Sequence, residues 1–248
     1  MRRIALILEY DGGPYCGWQR QKNGLSVQAV AENALKRLCG EEIALTGASR
    51  TDAGVHALYQ VAHFDTESRI PAEKFSFALN TLLPSTIRVT GSLQVRSDFH
   101  ARFDAKGKSY EYRILNRPHQ SALKANTHAH LPTPLDFGAM AEAAALFLGR
   151  HDFSAFMAAG GSAKTFTREM TASTLQKNGD ELLFTICGSG FLYNMVRIIA
   201  GTLIAIGQGK LAPGCIPRAY QSRSRLDLGP TAPAHGLCLT RVFYDSMA

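Results

Sequence analysis

The chain has no Cys-x-x-Cys pair. Its five cysteines, at positions 16, 39, 187, 215 and 238, are odd in number and widely spread. That pattern argues against a disulfide framework or a zinc ribbon and points to a reducing compartment, the cytoplasm, with some of the thiols serving as small core residues. No apolar run approaches the roughly 18–20 residues that span a bilayer, so no membrane segment is expected. Ile4 to Leu8 is apolar but short, and Glu9 ends it, which argues against a secretory leader. There is no Gly-x-Ser-x-Gly elbow, and Cys187-Gly188-Ser189-Gly190 does not supply one. A Gly-Lys-Ser/Thr phosphate loop is missing too, so neither a serine hydrolase of that type nor a phosphate-loop nucleotidase is indicated. The eight histidines show no metal-ligand spacing. His128-x-His130 comes nearest, without a third ligand close in sequence.

Charged residues make up only 19% of the 248 residues, against 46% hydrophobic. The chain can therefore bury a sizeable core in one large domain or two small ones, and nothing suggests disorder. The charges are unbalanced, with 27 Lys and Arg against 20 Asp and Glu, a net +7. A basic surface suits nucleic acid or another polyanion; the plainer alternative is charge for solubility.

Patterning predicts an α+β protein with two related, mainly antiparallel sheets, split into residues 1–102 and 103–248. Residues 4–10 read as a central strand, followed by a Gly-rich loop, Asp11 to Gln21. A helix runs from a Ser26 cap to a Gly40 stop, with Val30, Ala31, Ala34, Leu35 and Leu38 as its apolar stripe. Gln60 to Phe64 reads as a short strand, Pro71 opens a second helix, and Ile87 to Val95 is a further strand region. In the second half, Lys108 to Leu115 alternates as a strand and Leu135 to Leu148 reads as a helix. Glu169 to Gln176 and Leu182 to Cys187 flank an Asn178-Gly179 hairpin turn. Phe191 to Ile206 is a long apolar helix, and Leu237 to Phe243 is a final strand.

Four constellations carry chemical interest. The run Ser49-Arg50-Thr51-Asp52-Ala53-Gly54-Val55-His56-Ala57 reads as a tight loop presenting one carboxylate beside an arginine, with Gly54 free to take a positive φ. A carboxylate next to arginine stays ionised, which suits a nucleophile or base and suits a general acid poorly. Arg197 is the only charged residue between Leu192 and Ile206. In a buried helix it needs an anion, either a carboxylate such as Asp52 or a phosphate; at an exposed edge it would serve solubility. Tyr110 and Tyr112 alternate with Lys108, Glu111 and Arg113, a pattern that fits base stacking and also fits an ordinary aromatic core face. Arg218, Tyr220, Arg223 and Arg225 read either as a flexible phosphate-contacting loop or as a merely solvated one.

These residues, in this order, resemble the TruA family of tRNA pseudouridine synthases along essentially the whole chain. The matching segments are Tyr10-Asp11-Gly12 with Gly17-Trp18-Gln19-x-Gln21, Arg50 to Ala57, Phe99 to Phe103, Tyr110-x-Tyr112, His151-Asp152-Phe153, Phe191-Leu192-x-x-Met195-Val196-Arg197, and Ala232-Pro233-x-His235-Gly236-Leu237. The resemblance implies the pseudouridine synthase fold, with helices on one face of each sheet and the active-site cleft between the two domains. It implies an isomerase that converts uridine to pseudouridine at positions 38, 39 and 40 of the tRNA anticodon stem-loop, without cofactor or metal, as a homodimer with tRNA crossing both subunits. By the same resemblance Asp52 is the catalytic aspartate and Tyr110 stacks on the target base. Arg197 pairs with the aspartate, and Arg50 helps hold the target nucleotide out of the stack. Ser49 and Tyr59 depart from the family, which often has glycine there; both flank the catalytic run without replacing it. A catalytically silent RNA-binding or chaperone protein on the same scaffold would not need Asp52, Tyr110 and Arg197 together. A hydrolase built on Asp52 and His56 would lack an orienting partner for the histidine.

Overall fold

The apolar run near the start of the chain forms β1 (Arg2–Tyr10), in which Ile4, Leu6 and Leu8 are fully buried and Glu9 is exposed. In the computed structural model, which describes residues 1–22 and 24–247, β1 lies between β4 (Ile87–Val95) and β3 (His56–Thr66) and is antiparallel to both. The other edge of β3 is shared. β2 (Thr46–Gly47) pairs with it antiparallel at His63, and β10 (Leu237–Phe243) pairs parallel at His56 and Ala57. These strands belong to one unit, Met1–Lys106 together with the chain from Cys238 onward.

Helix α1 (Val27–Cys39) has the predicted ends. Ser26 accepts from the Ala29 amide at its start, and Gly40 takes a left-handed φ of 76° at its end while Lys36 and Arg37 occupy the last turn. The buried face is Val27, Ala31, Glu32, Ala34 and Leu35, so Val30 and Leu38 sit nearer the rim than the stripe predicted. Glu32 tolerates burial because its carboxylate takes the Leu45 amide at 2.9 Å, Gln28 at 3.1 Å and the guanidinium of Arg20. A short turn, Ala72–Lys74, follows Pro71 and leads into α2 (Phe75–Asn80). The ring of Phe75 meets Phe64 edge-on at 5.5 Å, with both rings buried, and each such burial contributes about 1.5–3 kcal/mol.

The second unit spans Gly107–Leu237. Its sheet runs β5 (Gly107–Asn116), β9 (Glu181–Gly188), β8 (Thr167–Asn178), β7 (Gly149–Asp152), antiparallel throughout, with β6 (Ala129–Leu131) parallel to β5. The β8–β9 hairpin turns at Asn178 and Gly179 as predicted. Helix α3 (Phe137–Ala145) starts two residues later than predicted because Asp136 caps it, accepting from the Ala139 amide at 3.0 Å, and it ends three residues earlier. Helix α4 (Met195–Gly207) begins four residues later than predicted, because Asn194 has φ 58°, a left-handed conformation that interrupts a right-handed helix. Residues 215–222, read from sequence as part of a loop, form helix α5 (Cys215–Ser222). Both units are mainly antiparallel sheets with attached helices, as the α+β assignment requires. No helix among the described residues is long and apolar enough to cross a membrane.

Candidate active site

Asp52 stands in the loop between β2 and β3, half-buried, and the chain on both sides of it is fixed. Upstream, the buried Gln60 side chain hydrogen-bonds both backbone groups of Ser49, accepting from its N–H at 3.1 Å and donating to its carbonyl at 2.7 Å. The Thr51 hydroxyl lies 2.8 Å from that of Tyr10. Downstream, the Asp52 carbonyl accepts from the Val55 amide at 3.1 Å, closing a turn in which Gly54 has φ 78°.

The Gly-rich loop after β1 runs beside this turn and meets it at three points. Gly12 N–H donates to His56 Nδ1 at 3.1 Å, Gly54 N–H donates to the Tyr15 carbonyl at 3.4 Å, and Trp18 N–H donates to the Thr51 carbonyl at 3.1 Å. Gly17 makes this approach possible: its φ is 105°, and a Cβ there would stand 2.6 Å from the Thr51 carbonyl oxygen. The two loops therefore hold each other, and the peptide bearing Asp52 sits between pinned neighbours. His56 Nδ1 also lies 3.1 Å from Asp11 Oδ1, so the histidine ties the Asp52 loop to the loop after β1. Arg50, two residues before Asp52 in this loop, is exposed.

In the second unit, Tyr110 and Tyr112 share one face of β5, both buried. The Tyr110 ring meets Phe191 edge-on at 5.0 Å. Tyr112 is fully buried and donates its hydroxyl to the Pro233 carbonyl at 2.9 Å. Burial pushes its phenol well above the usual range, partly offset by the charge of Arg197.

Arg197 is the one residue of α4 that is not buried; the other twelve are. Its guanidinium is half-buried and aimed by two acceptors, the Ala232 carbonyl at 2.8 Å and Asn194 Oδ1 at 2.9 Å. The Ala232 amide in turn donates to the Arg197 carbonyl at 3.0 Å. One turn further on, the buried Thr202 hydroxyl donates to the Ile198 carbonyl and accepts from the Gly229 amide at 3.1 Å. Residues 229–233 are thus a strap laced to α4, fixing the direction of Arg197.

Other sequence candidates resolve as structural groups. Tyr220 stacks on His151 at 4.5 Å, nearly parallel, within a cluster that includes Phe153 and Phe156. Arg218 pairs with Asp227 at 2.8 Å and Arg223 with Asp152 at 3.4 Å, so two of the three arginines expected in a flexible loop are tied to carboxylates. His128 bridges Thr127 and Glu181, whereas His130 meets the Arg117 carbonyl. Among the described residues, no group of three or more His, Cys, Asp or Glu could hold a metal ion. Sequence reasoning gave Gln60 no role beyond opening the strand Gln60 to Phe64, although an amide heading that strand was itself the signal. It also assigned no task to Asn194 or to Thr202.

A family model described as tRNA pseudouridine synthase matches residues 6–104 and 143–245. Those spans include Arg50, Asp52 and Arg197, and Tyr110 lies between them. The chain is 52% identical over 244 residues to tRNA pseudouridine synthase A of Acetivibrio thermocellus, covering 98% of this chain and all of that protein. It is 49% identical over 245 residues to the protein of the same name from Ruminiclostridium cellulolyticum, with the same coverage. A third relative of that name, from Geotalea daltonii, is 46% identical over 244 residues, again covering 98% of this chain and all of that protein.

Proposed function

Because the chain belongs to the tRNA pseudouridine synthase family, we propose that it isomerises uridine to pseudouridine at positions 38, 39 and 40 of the tRNA anticodon stem-loop. The observation that carries this reading is the Asp52 loop, a half-buried carboxylate presented between two hydrogen-bonded anchors.

The reaction breaks the C1′–N1 glycosidic bond, turns the base, and joins C5 to C1′. The C5 proton leaves and N1 gains one, so no atoms are added or lost overall. Asp52 can serve by adding to the base, by attacking C1′, or by taking the 2′ proton toward a glycal. All three begin from an ionised carboxylate, and a loop whose backbone is held on both sides of Asp52 lowers the cost of reaching the reactive geometry. Tyr110, Arg50 and Arg197 are the proposed substrate-binding residues. Tyr110 offers a ring held by Phe191, Arg50 an exposed cation for phosphate, and Arg197 a cation directed by Ala232 and Asn194. In this reading residues 1–102 supply the catalytic loop and residues 103–248 the tyrosine strand and the arginine helix. The protein works in the cytoplasm as a homodimer.

The test uses tRNA tritiated at uridine C5, because forming the C5–C1′ bond releases that tritium to water. Wild-type protein should release it from anticodon-stem uridines, and Asp52→Asn should bind the tRNA but release none. Normal turnover by Asp52→Asn would sink the assignment, and release confined to uridines elsewhere would sink the positions. Light scattering of the purified protein reports the oligomeric state.

A further inference from the structure

Arg168 is a cation that makes no ion pair among the described residues. It lies near the start of β8, on the side that carries Met170 into the core. Strand alternation turns Glu169 to the opposite side, and the register sets Glu169 across from Arg150 and Arg168 across from His151. The Arg168 guanidinium is half-buried, donates to the Thr167 carbonyl at 2.7 Å and lies 3.4 Å from the Thr165 hydroxyl. Burial holds its pKa below the ordinary arginine value, with no carboxylate opposing the effect.

The surroundings are basic and small. Residues 153–168 and 182–226 contain no Asp or Glu. Gly190 lies against the arginine stem, close enough that a Cβ there would be 3.5 Å from Nε. The neighbouring loop, residues 157–165, carries the exposed Lys164. It is tied down by the Ala158 amide on the Tyr193 carbonyl at 3.1 Å and by the Phe153 amide on the Phe166 carbonyl at 3.0 Å. A guanidinium that has lost part of its hydration and gained only a carbonyl and a hydroxyl is poorly compensated in the protein alone. Its planar fork matches the paired non-bridging oxygens of a phosphodiester.

We propose that Arg168 binds one backbone phosphate of the substrate RNA, with Thr165 and Lys164 at the rim of the site. The proposal rests on the tRNA reading above and adds a contact within the second unit.

The experiment compares wild type with Arg168→Gln and Arg168→Lys, measuring tRNA binding against salt, steady-state kinetics and thermal unfolding. Arg168→Gln should weaken binding several-fold or more and flatten the slope of log K against log salt by about 0.7–0.9, the share of one phosphate. The kinetic loss should fall mainly in KM. Arg168→Lys, which keeps the charge, should recover most of the slope. Unfolding of Arg168→Gln should occur at the wild-type temperature or above, since a poorly compensated cation has been removed. An unchanged slope overturns the proposal. So does a lowered unfolding temperature whose loss of binding is restored on cooling, because that marks a structural arginine. If wild type itself fails to bind or modify tRNA, the functional reading fails; if it succeeds while Arg168→Gln matches it, only the Arg168 site fails.

Discussion

The side chain of Gln60 hydrogen-bonds the backbone of Ser49 in both directions, 3.1 Å from its N–H and 2.7 Å to its carbonyl, with Gln60 fully buried. One amide on β3 thus replaces the ladder partner that the chain loses as it leaves β2 for the Asp52 loop. Ser49 is three residues from Asp52, so the anchor fixes where the loop begins.

Replacing Gln60 with Leu should strand both Ser49 groups in a dry site. Each lost bond of this kind costs about 1–3 kcal/mol. The denaturant midpoint should fall by a matching amount, and turnover should fall further than stability alone explains. Gln60→Glu keeps an acceptor for the Ser49 N–H and loses the donor, so it should fall between. A Gln60→Leu protein with wild-type midpoint and turnover would show that the anchor is dispensable.

Gly17→Ala places a methyl group 2.6 Å from the Thr51 carbonyl oxygen, on a residue whose φ is 105°. Backbone strain of this type costs roughly 1–3 kcal/mol. The loop can relieve the clash only by moving Thr51, the neighbour of Asp52. Tritium release should drop at least tenfold while affinity for tRNA stays within a few-fold of wild type. Equal losses in both would mean that the loop has a larger share in binding.

Thr202→Val conserves shape but removes the acceptor for the buried Gly229 amide. The expected cost is about 1–3 kcal/mol in unfolding free energy. Because residues 229–233 also direct Arg197, activity should decline alongside stability, and a crystal structure of the variant should find the Ala232–Arg197 contact lengthened. An intact strap with full activity would refute the coupling.

His63 sets an acid limit on stability. Burial first, then the charges of Arg3 and His100, lower its pKa to about 4 from an ordinary 6.5. Its Nδ1 accepts from the Ala101 amide at 3.2 Å. Between these two values the unfolded chain binds a proton that the folded chain refuses. Stability therefore falls as pH drops from about 6.5 to 4, by up to about 3 kcal/mol, and is insensitive to this group above pH 7. Urea midpoints at pH 7, 5.5 and 4.5 should show that slope, and His63→Gln should reduce it. An unchanged slope in the variant would assign the acid sensitivity elsewhere.

Much of the fold was legible because local signals agreed with tertiary need. Ser26 and Gly40 bound α1 as their capping chemistry requires, and Asn178-Gly179 turned the β8–β9 hairpin. The readings that failed were those in which a local signal met a constraint from elsewhere. Asn194 delays α4 by taking a left-handed φ, a conformation that the apolar pattern from Phe191 does not reveal. The Arg218–Arg225 stretch looks like a solvated loop, yet Tyr220 folds it into an aromatic cluster and Asp152 and Asp227 take up two of its charges.

The sequence by itself determined the class of fold, the basic character of the protein, and the run of residues that carries Asp52, because composition, periodicity and motif order are properties of the chain alone. Only the tertiary structure decided what holds that run in place. Gly12, Tyr15 and Trp18 reach it from a loop about forty residues earlier, Gln60 reaches it from β3, and Arg50 stands exposed beside it. The physical reason is that hydrogen-bond partners and desolvation depend on which distant segments pack together. Residue spacing sets which groups are available, and packing sets which of them meet.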